Sequence, residues 1–258
     1  YYWKVDTAGN QLPYLDAVNR ILLPDKEAIL LKAIAGEADF ESRRIESVEN
    51  YPTVMANREK GDYRVVLEDN AGGNFGTIFF NFWHEDEILR DLFMNKDFRI
   101  ALSVAIDRDE INDLIYKGQA TPSAATVAKG SIWYDPEFAT KNATYDPDRA
   151  NQLLDSVGLD KKDSQGFRLR PDGERFSVVN LVFTPYPPSS VEIQELVKEH
   201  WAKVGIEVIV KPMDRLLWGE TVHGLDFDIA TYIMGMGHLT QTPLQQRQIV
   251  PVSESSVN

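Results

Sequence analysis

Residues 189 to 212, SSVEIQELVKEHWAKVGIEVIVKP, set one kind of periodicity directly against another. Ile193, Leu196, Val197, Trp201 and Val204 fall on one face of a helix. IEVIVKP follows as a strand. A helix that feeds straight into a strand requires layers of helix on sheet, and the same alternation runs along most of the chain.

AVNRILLP is expected as a strand, followed by a helix from an Asp25 N-cap to a Gly36 stop. A turn through GEADF, a helix near Asn50 to Arg58 and a strand DYRVVLE come next. GTIFFNFW is apolar on both faces, so a central, buried strand is expected. YDPDRANQLLDSVG reads as a helix capped by Asp146, with Pro147 in its first turn, a stripe of Ala150, Leu153, Leu154 and Val157, and a stop at Gly158. FRLRPDGERFSVVNLVF reads as a hairpin about Pro171-Asp172-Gly173. A short helix from Asp214 and a strand FDIATYIM follow. The fold class is α/β with some antiparallel pairing. At 258 residues the chain can form one large domain or two lobes, with a boundary after FNFW.

The most charged stretch is NKDFRIALSVAIDRDEINDLIYKGQATPSA, residues 95 to 124. Phe98, Ala101, Leu102 and Ala105 share a helical face, with Asn95 as N-cap and Asp97 in the first turn. The helix should break near Ile106. Asp107 and Glu110 then stand at the spacing of a capping box for a second helix, striped by Ile111, Leu114 and Ile115 and stopped at Gly118. These acids are expected to hold helix ends, not to perform catalysis.

A net charge of −13 opposes a nucleic-acid partner and an anionic membrane surface. The chain has no cysteine, hence neither a disulfide nor a thiolate nucleophile. His84, His200, His223 and His238 make no metal-binding spacing, and WHEDE at 83 to 87 is expected as a solvated loop. No nucleophile elbow occurs. Gly235-Met236-Gly237 follows a strand but lacks the third glycine and the helix of a dinucleotide fingerprint, so no cofactor is expected. The chain starts at Tyr1 and closes in PVSESSVN, and is expected to be a segment of a longer protein.

Aromatics at element ends are the remaining functional candidates, because they bury large area and stack on sugars or cations. They are Trp83, Trp133, Tyr134, Tyr186, Trp218 and Tyr232.

The order of these pieces resembles the family 5 extracellular solute-binding proteins. YYWKVDTAGNQLPYLDAVNRILLPDKEAILLKAIAGEADF is similar to the region of that family where P-x-L-D leads to a strand, a helix and G-E-x-D. FNFW with FRIALSVAIDRDEINDLIYKGQATP resembles its most recognisable stretch, and YDPDRANQLLDSVG, VEIQELVKEHWAKVGIEVIVKPMD and DFDIATYI continue in the family's order. The resemblance implies a two-lobed periplasmic-binding-protein-like architecture (type II, family 5) with mixed sheets and flanking helices, incomplete at both ends. Residues 1–83 would belong to the first lobe and 84–258 to the second, without its closing segment.

The implied function is the substrate-binding component of an ABC importer, not an enzyme. It would capture an oligosaccharide or oligopeptide between its lobes by hinge closure. Its implied partners are the solute and the permease's membrane subunits, its implied state monomeric, and its place periplasmic or extracellular and membrane-anchored. The resemblance sets the loop GQATPSAATVAKGSIWYDP, with Trp133 and Tyr134, beside the cleft. It also brings the loop after DFDIATYI there, making Tyr232, Met234 and His238 ligand candidates, with His84 added beside Trp83. Peptide-binding members tend to carry an Asp in that loop, to take the peptide's amino terminus. Here no acid occurs between Asp228 and Glu254, which favours a neutral, hydroxyl-rich ligand. The alternatives are a carbohydrate-active hydrolase and the ligand-sensing domain of a transcription regulator.

Overall fold

The computed structural model describes residues 3–41, 45, 49–66, 76–127, 129–184 and 189–232. The chain forms two compact units, Tyr1–Leu67 and Glu68–Asn258.

The first unit holds α1 (Lys26–Ile34) and α2 (Tyr51–Asn57). Asp25 has extended backbone, and its carboxylate accepts from the Ala28 N–H at 2.7 Å, which starts α1 where the sequence indicates. Gly36 ends it at φ +74°, and a Cβ there would stand 2.1 Å from the carbonyl oxygen of Gly61. Only glycine allows the chain leaving α2 to lie against the end of α1. The expected strand AVNRILLP does not form. Residues 62–66 of DYRVVLE form no strand either, and the last two residues of that segment lie outside the described residues. A strand exists only through a partner, and neither segment finds one here. Ile21 and Leu22 are accordingly exposed, the latter at 95%.

The second unit is built on one mixed sheet. Its strands are β1 (Thr77–Phe80), β2 (Ser177–Phe183), β3 (Glu207–Met213) and β4 (Ile229–Tyr232), in the order β1-β4-β2-β3. β2 runs parallel to both β3 and β4, while β1 is antiparallel to β4, with Thr77 opposite Tyr232 and Phe80 opposite Ile229. Among the described strands β1 is therefore an edge, not the central strand its composition suggested. All four residues are half-buried, and Ile78 and Phe80 pack against the larger core, but apolar composition carries no information about lateral neighbours. Phe80, for example, packs on Phe93 and Phe98 with ring centroids 5.5 and 6.3 Å away. β1 belongs to the sheet of the second unit.

Helices cover both faces. α3 (Glu87–Met94), α4 (Lys96–Val104), α5 (Arg108–Tyr116), α7 (Pro147–Ser156) and α8 (Ser190–Lys203) bury Phe93, Phe98, Leu154 and Trp201 with Val178, Val208 and Ile229 of the sheet. α6 (Pro136–Thr140) lies between α5 and α7 in the chain. On the other face α9 (Arg215–His223) closes a smaller core of Leu181, Met213, Val222, Phe227 and Ala230. The period-two alternation of β2 separates the layers, with Val178 facing one core and Val179 and Leu181 the other.

Side-chain caps set the helix starts. Asp86 begins α3, Asn95 α4, Asp107 α5, Asp135 α6, Asp146 α7 and Asp214 α9, each accepting one or two backbone N–H groups of the first turn. Glu110, however, does not turn back on Asp107. Its carboxylate lies 2.7 Å from Nε2 of buried His200, whose Nδ1 accepts the Asp107 N–H at 3.3 Å. A histidine on α8 thus replaces the acid of the expected capping box. Gly118 ends α5 at φ +74°, preceded by Lys117 at φ +53°. Ile111 is buried and Ile115 packs on the core, but Leu114 is 51% exposed, so the apolar stripe of α5 is narrower than expected. The hairpin about Gly173 closes with Leu169 bridged to Arg175, and its second arm continues into β2, where it pairs in parallel with β3 and β4.

Candidate functional site

Because β2 and β4 run parallel and adjacent, their last residues finish side by side. Phe183 ends β2 and Tyr232 ends β4, with ring centroids 5.2 Å apart. Trp218, in the first half of α9, completes the group. It lies 5.8 Å from Phe183 and 5.2 Å from Tyr232, stacked on the tyrosine at an interplanar angle of 27°. The Trp218 indole N–H donates to the Leu181 carbonyl at 3.1 Å, which fixes the ring's orientation. Phe183 is buried, and Tyr232 and Trp218 are half-buried. The result is an anchored aromatic surface at the carboxyl ends of parallel strands, where ligands of open α/β sheets are held.

A buried polar chain stiffens the sheet beneath it. Thr231 Oγ1 donates to Asn180 Oδ1 at 2.9 Å, Asn180 Nδ2 to Gln194 Oε1 at 2.9 Å, and Gln194 Nε2 to the Gly76 carbonyl at 3.2 Å. It links β4, β2, α8 and the residue that enters β1. Thr231, Asn180 and Gln194 are 0 to 1% exposed, so these bonds form away from competing water and hold the strand ends in register.

The other expected site residues are not gathered here. Trp83 and His84 follow β1, and because β1 is antiparallel to β4 they stand at the opposite end of the sheet from Tyr232. Nδ1 of His84 accepts the Asp86 N–H at 3.0 Å, so Nε2 carries the proton and donates to Asp228 Oδ1 at 2.9 Å. Asp228 Oδ2 in turn accepts the Val179 N–H at 2.7 Å. Buried Asn81 donates to the carbonyls of Leu225 and Phe227 at 2.9 and 2.8 Å. This end is thus a set of ties between the exit of β1 and the entry of β4, and both ring nitrogens of His84 are engaged in it. Asp86 belongs to the same end. Burial raises its pKa, but N–H groups of Leu89 and Ile88 and the Arg170 guanidinium bring it below the ordinary carboxylate value of 3.8.

Trp133 and Tyr134 lie in the turn before α6, where both backbone N–H groups bond Ser131. Trp133 is 49% exposed, and among the described residues no ring contact joins either to Trp218 or Tyr232. Tyr186, Met234 and His238 lie outside the described residues. Phe183 was missed, although Val179, Leu181 and Phe183 share a period-two face, because nothing local says that β2 and β4 end together. Among the described residues no three His, Asp or Glu side chains are grouped to hold a metal ion, and no helix is long and apolar enough to cross a membrane.

The second unit is thus an α/β sheet with helices on both faces and an aromatic surface at its strand ends. The chain belongs to the bacterial extracellular solute-binding proteins, family 5: residues 1–245 match the family's middle region. It is 30% identical over 235 residues to the periplasmic alpha-galactoside-binding protein of Rhizobium meliloti (strain 1021), covering 83% of this chain and 32% of that one. Among solved structures it is similar to an oligopeptide-binding protein OppA, with 39% identity, a TM-score of 0.72, and coverage of 97% of this chain and 40% of that one. It is also similar to the periplasmic binding protein MelB of Agrobacterium fabrum C58 in complex with stachyose, with 25% identity, a TM-score of 0.66, and coverage of 90% and 36%. The chain spans about a third of the length of the curated relatives it matches.

Proposed function

We propose that this chain is the middle part of the solute receptor of an ABC importer and that Trp218 and Tyr232, backed by Phe183, form a wall of its ligand site. The observation that carries this is the ring cluster at the ends of β2 and β4. Two of its rings stay partly open on a sheet end stiffened by a buried hydrogen-bond chain. Apolar faces of this kind suit the CH-rich faces of sugar rings. The absence of any acid between Asp228 and Glu254 leaves the segment after β4 without a carboxylate for a peptide's ammonium group. Support comes from relatives described as binding an alpha-galactoside and solved with stachyose. The solute is therefore an oligosaccharide. The relative described as an oligopeptide receptor makes an oligopeptide the second reading. In the parent protein the solute is enclosed by hinge closure and passed to the permease's membrane subunits. The parent acts without chemical turnover as a monomer outside the cytoplasmic membrane, either free in the periplasm or anchored at the surface.

Calorimetry on the parent protein tests this, with stachyose and tetra-alanine as probes. Stachyose binding is expected, and Tyr232→Ala should weaken it by about 1–3 kcal/mol, the value of one stacking partner, with little change in melting temperature. Tight binding of tetra-alanine with none of stachyose would overturn the sugar reading. Unchanged affinity in a destabilised Tyr232→Ala protein would remove the aromatic wall from the site.

A further inference from the structure

We propose that Thr77 is a specificity-determining residue of the aromatic wall and hydrogen-bonds a hydroxyl group of the solute that lies on Tyr232 and Trp218. This rests on the solute-receptor reading above. Its ground is the register of the sheet. Thr77 of β1 stands opposite Tyr232 of β4, and Phe79 opposite Ala230. Ile78 and Phe80 pack against the core of Val178 and Ile229, so the period of two turns Thr77 and Phe79 to the other face. β4 divides in the same way. Ile229 lies in that core and Ala230 in the core closed by α9, and Tyr232 follows Ala230 by one period. Thr77 and Tyr232 therefore share the face that α9 covers. Residues directly opposite in an antiparallel pair have Cβ atoms about 4.5–5.5 Å apart, so the threonine side chain borders the tyrosine.

The row continues across the sheet. Val182 stands opposite Thr231, which sets Phe183 beside Tyr232, and Phe183 stands opposite Met213. One row on one face reads Thr77, Tyr232, Phe183, Met213, with Trp218 stacked on the tyrosine. Phe183 and Met213 are buried and apolar, whereas Thr77 and Tyr232 are half-buried and carry hydroxyl groups. Thr77 also ends the row, because β1 is the edge among the described strands. A polar group of fixed position therefore flanks the apolar wall. Stacking accepts the apolar face of many sugar rings and discriminates weakly among them. A hydroxyl partner discriminates more, since a solute whose own hydroxyl is absent or inverted leaves it unpaired. Threonine Oγ1 donates one hydrogen bond and accepts two, so it can engage a solute hydroxyl in either role while keeping a partner within the protein.

Calorimetry on the parent protein with stachyose and maltotetraose, two tetrasaccharides that present different hydroxyl groups, tests this. Thr77→Val keeps a β-branched residue in the strand and removes the hydroxyl. It should weaken stachyose about tenfold, or about 1.4 kcal/mol, and narrow the preference that the wild-type parent shows between the two sugars. Thr77→Ser restores the hydroxyl and should bind as the wild type does. A residue that only props the tyrosine would weaken both sugars alike. An unchanged preference in Thr77→Val, or no preference in the wild type, would therefore overturn the proposal. Full affinity in Thr77→Val would overturn it as well, and so would a Thr77→Ser protein as weak as Thr77→Val, because the hydroxyl would then not be what matters. In each of these cases stachyose still binds the wild type and the sugar reading stands. A wild-type parent that binds neither sugar would instead overturn that reading, and this proposal with it.

Discussion

Arg168 gives a direct test of how the second unit is held together. Its side chain is 1% exposed. Nε donates to the Val204 carbonyl at 2.7 Å, Nη2 to Asn151 Oδ1 at 2.7 Å, and Nη1 to Asp155 Oδ1 at 2.5 Å and to the Leu159 carbonyl. One guanidinium thus ties α7 and the residues after it to the end of α8. In Arg168→Met the aliphatic stem is largely replaced, so the cavity is small, but three acceptors on Val204, Leu159 and Asn151 lose their donor. At about 1–3 kcal/mol per buried unsatisfied group, moderated by relaxation, the expected loss is about 3–5 kcal/mol. That is a large share of the roughly 5–15 kcal/mol that holds a domain folded. The ion pair should contribute little, because the Asp155 side chain is 54% exposed, and Asp155→Asn should cost less than about 1 kcal/mol. Urea unfolding followed by tryptophan fluorescence measures both, since Trp201 is buried in the same core with its indole N–H on the Leu102 carbonyl at 2.9 Å. If Asp155→Asn costs as much as Arg168→Met, the carbonyl-gathering account is wrong and the ion pair dominates.

The Asp86 carboxyl has its pKa depressed on folding, so its stabilisation is complete above its unfolded value of 3.8 and is lost as pH falls through the folded value. Asp86→Asn keeps a capping side chain but no titrating group, and its unfolding free energy should fall less steeply below about pH 4, where carboxylates protonate. Some slope will remain, because Asp163 is also depressed: burial raises its pKa, but bonds from the Gln165 and Phe167 N–H groups and from Arg175 outweigh that. An unaltered acid profile would show that the depression has no energetic consequence. His200→Leu removes the acceptor for the Asp107 N–H and the partner of Glu110 together. A loss of about 1–3 kcal/mol in urea unfolding is expected, and a neutral result would mean that α5 does not need this histidine.

How much of this was legible in advance depended on the range of the interaction. Helix starts at Asp25, Asn95, Asp146 and Asp214 were visible because a cap acts on N–H groups only two or three residues away. Apolar stripes such as Phe98, Ala101 and Leu102, or Ile193, Val197 and Trp201, were visible because the period of 3.6 is intrinsic to the helix. The alternation of helix and strand, and hence the α/β class, follows from these local signals alone.

Partnership was not legible, because it joins segments far apart in the chain. No local signal showed that AVNRILLP would lack a partner strand or that β1 would sit at an edge. Nor could it show that His84 would be drawn to Asp228, away from the aromatic end, or that Glu110 would prefer His200 to its own cap. The site itself depends on such a pairing. Tyr232 and Trp218 were candidates by type, but only the parallel register of β2 with β4 brings Phe183 beside them. That register is set by backbone hydrogen bonds and packing between residues some 50 positions apart, which no local pattern records.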